Sequence, residues 1–175
     1  MALEVVFCVD VRNDGCMEEK ELEAQFDDLR PRILADDYLE GAVTIRPSLD
    51  SAEVRVEDMM EALVLNLCFG AIHGILAREH VVVSHFNMYG YLRMDPEANL
   101  ELISGDYVQK VRVPYYELAE ALYGCGVRFV DFYRRLTGGD PYYEENLKIM
   151  EEKAQEAART LADNAGERDR WPRER

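Results

Sequence analysis

LELISGDYVQKVRVPYYELAEALYGCGVRFVDFYRRL, residues 100–136, carries the pattern that decides the fold. Asn99 to Ile103 reads as a strand, and Tyr107 to Val113 alternates apolar and polar side chains as a second one beyond a Gly-Asp turn. After Pro114 the period lengthens. Leu118, Ala121, Leu122, Cys125, Phe129, Phe132, Tyr133 and Leu136 keep the three-to-four spacing of one apolar helix face, ended by Thr137-Gly138-Gly139. Gly124 and Gly126 each weaken such a helix by roughly 1 kcal/mol relative to Ala, so close packing is the expected reason for them. Short strands running directly into a long amphipathic helix predict an α+β protein.

Working outward, Met88 to Met94 pairs with Asn99 to Ile103 across Asp95-Pro96-Glu97-Ala98, and His80 to Phe86 is a further strand. Leu3 to Val11 is apolar on both faces and reads as a central strand. Arg12 to Gly15 is a turn, and Met17 to Leu29 is an acidic amphipathic helix ended by Pro31. Ala42 to Arg46 and Ala52 to Val56 are short strands flanking a turn at Pro47 to Asp50. A helix from about Glu57 to Ala77 follows, in which Ala62, Asn66, Gly70 and Gly74 form a ridge of small residues suited to close packing. Asp140-Pro141 starts the last helix, whose stripe of Tyr143, Leu147, Met150, Ala154, Ala157, Leu161 and Ala165 packs on the domain or across a two-fold axis. The expected architecture is a mostly antiparallel sheet of about five to six strands against three to four helices. It forms one domain over residues 1–166, with a polar, disordered tail at 167–175. One likeness repeats inside the chain: Val54-Arg55-Val56 precedes Glu61-Ala62-Leu63, and Val111-Arg112-Val113 precedes Glu120-Ala121-Leu122.

Charge is the property that bears most on function. The net charge is −15, but residues 1–60 hold 16 acids against 6 bases, while residues 61–139 hold 9 against 7. Such a field repels nucleic acid and anionic membranes and attracts basic partners. No basic-then-apolar leader opens the chain, and the apolar run Ala62 to Ala77 falls short of the ~20 residues of a bilayer span. Cys8, Cys16, Cys68 and Cys125 show no paired spacing, which fits a reducing, cytoplasmic setting.

The motifs that could carry chemistry are each opposed by something. Asp10 to Glu21 places Asp10, Asp14, Gly15, Glu18 and Glu21 at calcium-loop positions, but Arg12 stands where a ligand oxygen is wanted and a strand precedes it. His73, His80 and His85 lack the converging spacing of zinc ligands. Ser84 and His85 are neighbours on a strand and point to opposite faces. No nucleophile elbow, phosphate loop or dinucleotide fingerprint occurs, so no catalytic residue, metal or cofactor is assigned.

The stretch from Leu100 to Leu136, with its strand, Gly-Asp turn, strand, and helix carrying Glu-Ala-Leu and a late Arg-Phe, resembles the C-terminal part of small bacterial immunity proteins. These are acidic cytoplasmic antidotes to polymorphic or contact-dependent toxins. The resemblance covers about a fifth of the chain. It implies a stoichiometric inhibitor of a basic toxin domain, often a nuclease, with no catalytic residues. The expected binding face comprises Glu18, Glu19, Glu23, Asp27, Asp28, Asp36 and Asp37, with Tyr38 as an aromatic anchor. The competing readings are a self-associating module, dimeric through residues 140–165, and a metal-dependent enzyme with an unrecognised site.

Overall fold

The computed structural model describes residues 3–36, 38–47, 53–84, 90–94, 99–104 and 107–167. Asp37, His85, Tyr89, the loop tips at 48–52, 95–98 and 105–106, and the tail beyond Glu167 lie outside them. The chain is α+β, with eight described strands in two sheets rather than the five or six of one sheet. The first sheet has the order β2-β1-β3-β4, built from β1 (Glu4–Val11), β2 (Gly15–Glu18), β3 (Glu40–Arg46) and β4 (Val54–Met59). The second is a meander of β5 (Val81–Ser84), β6 (Gly90–Met94), β7 (Asn99–Ser104) and β8 (Tyr107–Arg112). Every described strand pair is antiparallel. The strands divide because β4 runs straight into α3 (Met60–Ala77), and this helix separates β4 from β5.

Five helices pack on these sheets, and the first two correct an expectation. The segment read as one helix from Met17 to Leu29 is β2, then α1 (Glu19–Ala24), then α2 (Phe26–Ile33), with Gln25 out of helical conformation between them. Pro31 lies inside α2 instead of ending it. Arg30, from the same turn, donates to the Leu136 carbonyl at 2.8 Å and ties α2 to the far end of the chain. The would-be calcium loop is therefore a hairpin. Asp14 N–H donates to the Val11 carbonyl at 2.8 Å, Asp14 pairs with Arg32 at 2.6 Å, and Glu21 accepts the Glu18 N–H at 3.3 Å.

Its register also overturns the reading of the cysteines. Cys8 faces Glu18 and Cys16 faces Asp10 across the β1–β2 pair, so the two thiols stand diagonally on one face of the ladder. They form a disulfide with Cα atoms 5.6 Å apart. Cys68 and Cys125 are free and buried against each other; their mutual hydrogen bond and then burial push the Cys68 thiol well above its ordinary pKa.

The long helix α3 begins at Met60, three residues later than expected, because Glu57 to Met59 complete the ladder with β3. Its middle, Val64–Gly70, is wound as a π-helix. The wider turn moves the predicted ridge outward, so that Asn66 and Gly70 are exposed; Gly70 is close to the Leu65 carbonyl of its own helix, while Gly74 approaches another element, at Val81. The same winding buries both Cys68 and Phe69 against Gly126 of α4 (Tyr115–Thr137). Gly126 therefore has the packing role expected of it.

α4 is the centre of the protein. Its apolar stripe is buried as the spacing predicted, against β1 on one side and α3 on the other. Phe129 meets Phe7 edge to face at 5.4 Å. Gly138 at φ 61° ends α4, and Asp140 caps α5 (Pro141–Asp163) by accepting the Tyr142 N–H at 2.9 Å. The stripe of α5 packs on α3 and α4 of the same chain through Met150, Ala157 and Leu161. One contiguous core runs from Val5 to Leu161. Among the described residues α3 alone is long and apolar enough to cross a membrane, at mean hydropathy 1.7, and half of it is buried.

Candidate functional site: an acidic groove beside the first strand

A groove of about 1220 Å³ opens between the first half of β1, the start of α1 and the first turns of α4. β2 stops at Glu18 and the chain turns away into α1, while α4 passes on the other side; the gap between them is the groove. Glu18, Glu19 and Glu23 line one wall, and Glu117 and Glu120 stand on the other. The lining carries six carboxylates, Glu4 included, against Lys20, Arg46, Arg78 and Arg128.

The carboxylates of the first wall, Glu18, Glu19 and Glu23, are not free. Glu18 is held by Arg46, and this hydrogen bond, opposed by partial burial, keeps its carboxyl below the usual range. Arg46 also reaches Glu53 at 3.1 Å and Glu4 at 3.7 Å. Glu19 takes Arg128 Nε at 2.7 and 2.9 Å, and Arg128 donates a further bond to the Val5 carbonyl at 2.8 Å. Burial works against the Arg128 charge, but the Glu19 carboxylate outweighs it and the guanidinium is held more firmly protonated than usual. Glu23 is held by Arg135, whose hydrogen bond lowers its pKa. Ion pairs this exposed contribute about 0–1 kcal/mol each. Their larger effect is positional: they fasten α1 to β3 and α4 and fix the carboxylates along the groove.

The other predicted residues are placed differently. Asp27 and Asp28 are exposed on the first turn of α2, and Asp36 is exposed in the loop after it. Tyr38 is 69% exposed, as an aromatic anchor would require. Asp37 is outside the described residues. The predicted face thus divides into a paired set lining the groove and a set on α2 and its loop that makes no ion pair among the described residues. Sequence reasoning missed Glu117, Glu120 and Arg128. Together with Gly124 they follow the helical period along α4, a polar strip flanking the apolar face, and that spacing was the available signal.

Compared with known protein families, curated proteins and solved structures, the chain matches none.

Away from the groove, Glu61 at the start of α3 is half-buried, and burial raises its pKa in spite of a helix N–H and the Tyr133 hydroxyl beside it. That hydroxyl faces Glu61 and Asn146 without closing a hydrogen bond of ordinary geometry to either, and burial pushes its own pKa up. A carboxyl whose pKa rises on folding binds its proton more tightly in the folded state. Stability therefore increases as pH falls through the folded value and levels off below the unfolded one. Glu61→Gln removes the penalty of the buried charge. Thermal melts should show the variant ahead of the parent at about pH 8 and level with it at about pH 4. A constant offset at both pH values would show that the charge is not the cause. His73 and His80 are exposed, and among the described residues no three metal-ligating side chains cluster.

Proposed function

We propose that this chain is a binding protein that takes a basic protein partner on its acidic N-terminal side, in the manner of an immunity protein that neutralises a toxin domain by stoichiometric binding. The observation that carries the reading is the juxtaposition of Glu18, Glu19 and Glu23 with Glu117 and Glu120 about one groove. Acids predicted from the N-terminal third share this groove with acids from α4. The exposed Asp27, Asp28 and Asp36 extend the negative field next to it, and Tyr38 offers apolar area with few rotors and a polar tip. Complementary charge of this kind speeds encounter, while aromatic and Arg anchors supply most of the affinity. A toxin acting on nucleic acid would present the Lys and Arg that meet such a surface.

The test uses four acids of this side that make no ion pair among the described residues. The full chain and its Asp27→Asn, Asp28→Asn, Asp36→Asn, Glu117→Gln variant are immobilised, and host lysate is passed over each at low salt. A basic protein retained at about one copy per chain, and bound about tenfold or more weakly by the variant, is the expected result. Equal retention by both, or no basic protein on either, would overturn the proposal.

A further inference from the structure

We propose that the first half of β1, Glu4–Phe7, is a docking edge to which an extended basic segment of the partner adds as a strand. This rests on the acidic-groove reading above and names how the partner enters the groove. β1 has eight residues but β2 has four, and the two pair only from Cys8 to Val11. On its other side β1 is paired with β3 from Glu4 to Val9. Glu4 to Phe7 therefore have a strand neighbour on one side only among the described residues, and the open side gives onto the groove, which Glu4, Val5 and Val6 line.

The Val5 carbonyl shows the direction of this edge. It accepts from Arg128 Nη2 at 2.8 Å, so a side chain occupies the place that a neighbouring strand's N–H would take. In an antiparallel ladder the N–H and C=O of one residue point to the same side, so the Val5 N–H faces the groove as well. Arg128 blunts the edge against indiscriminate pairing, as charged side chains at sheet edges commonly do. It is held from behind by Glu19, and an incoming strand N–H can replace Nη2 on Val5 while the guanidinium stays on that carboxylate.

Strand addition draws affinity from main-chain hydrogen bonds and selectivity from alternate side chains. Here the walls choose the side chains. Six carboxylates line the groove with four cations, a formal excess of two negative charges; the Glu18–Arg46 and Glu19–Arg128 pairs cancel within it, and Glu23 is held by Arg135. A segment alternating basic and apolar residues matches the charge of the walls and the period of the edge.

The experiment uses the full chain and acetyl-Arg-Val-Arg-Val-Arg-Val-amide, with twins N-methylated at alternate backbone nitrogens in either register. All three peptides carry the same charge. By calorimetry at low salt, the parent peptide should bind about tenfold tighter than the weaker twin, which has lost two or three main-chain donors. Hydrogen exchange of the Val5 amide should slow about tenfold in the complex, while that of Val9, paired on both sides, stays unchanged. Equal affinity for all three peptides with Val5 exchange unaltered overturns strand addition and leaves the acidic-face reading standing. Failure of every peptide to bind also overturns the edge, and the charge reading is then judged by the lysate capture alone.

Discussion

Replacing Gly41 with Ala is expected to destabilise the protein by about 3–5 kcal/mol, more than a single added methyl ordinarily costs. Gly41 lies in β3 between Val9 of β1 and Asp58 of β4, so the sheet has no free edge there along which to relax. A Cβ at this position would overlap the Cys8 carbonyl oxygen and meet Met60 Sδ at 2.8 Å. The methionine can swing away; the backbone oxygen cannot move without parting β1 from β3. Glycine inside a strand marks this kind of close backbone approach. Gly126→Ala is the useful comparison, since its Cβ would meet side-chain atoms only, the Phe69 ring at 2.6 Å and Cys68 Cβ at 2.9 Å. Denaturant midpoints should rank the parent above Gly126→Ala and that variant above Gly41→Ala. A Gly41→Ala protein within about 1 kcal/mol of the parent would mean that β1 and β3 can separate locally.

The second large effect is expected from Phe129→Ala, at about 3–5 kcal/mol. Phe129 is fully buried, packs edge to face on Phe7 at 5.4 Å, and stands 6.3 Å from Phe132 and 5.9 Å from Tyr133. It is the point at which α4 grips the first sheet. The loss combines the transfer of a large ring with a cavity bounded by other rings, which are too rigid to collapse into it. Total stabilities of natural domains are about 5–15 kcal/mol, so this variant should unfold at markedly lower denaturant. Phe129→Leu should recover more than half of the difference. Because Phe7 and Phe129 share one contact, losses at the two positions should not add, and a double-mutant cycle reads their coupling. Strict additivity would show that the rings contribute only by area.

The elements written in local period were legible in the sequence. β1, the β3–β4 pair, the β6–β7 hairpin and the stripes of α4 and α5 stand where alternation or the helical spacing put them. The acid-rich segment after Asn13 misled, because Leu22, Phe26 and Leu29 keep a helical spacing across a break at Gln25 that no glycine or proline announces. The ridge in α3 misled for another reason. A π-wound middle changes the number of residues per turn, and periodicity arguments assume that number. The Cys8–Cys16 bond required the register of a strand that had been read as helix. For the candidate site, the acidity of residues 18–23 was readable, whereas their partners Arg46, Arg128 and Arg135 lie far along the chain and nothing local names them. A one-dimensional count of charge cannot distinguish a carboxylate fixed by an arginine from one left to water.

The dependence of β1 on α4 has a consequence for how the chain is made. Val5 and the Arg128 that covers its carbonyl are 123 positions apart. At roughly 5–20 residues per second, α4 leaves the ribosome roughly 6–25 s after β1. The second sheet, a meander of adjacent strands, can close soon after its last strand emerges. The first cannot be completed so early, since the covering of Phe7 and of the open strand edge both arrive with α4. Throughout translation of the middle of the chain, the nascent N-terminal half therefore presents an uncapped strand and an uncovered aromatic surface, and this interval is when the protein is most open to wrong pairing and to capture by chaperones.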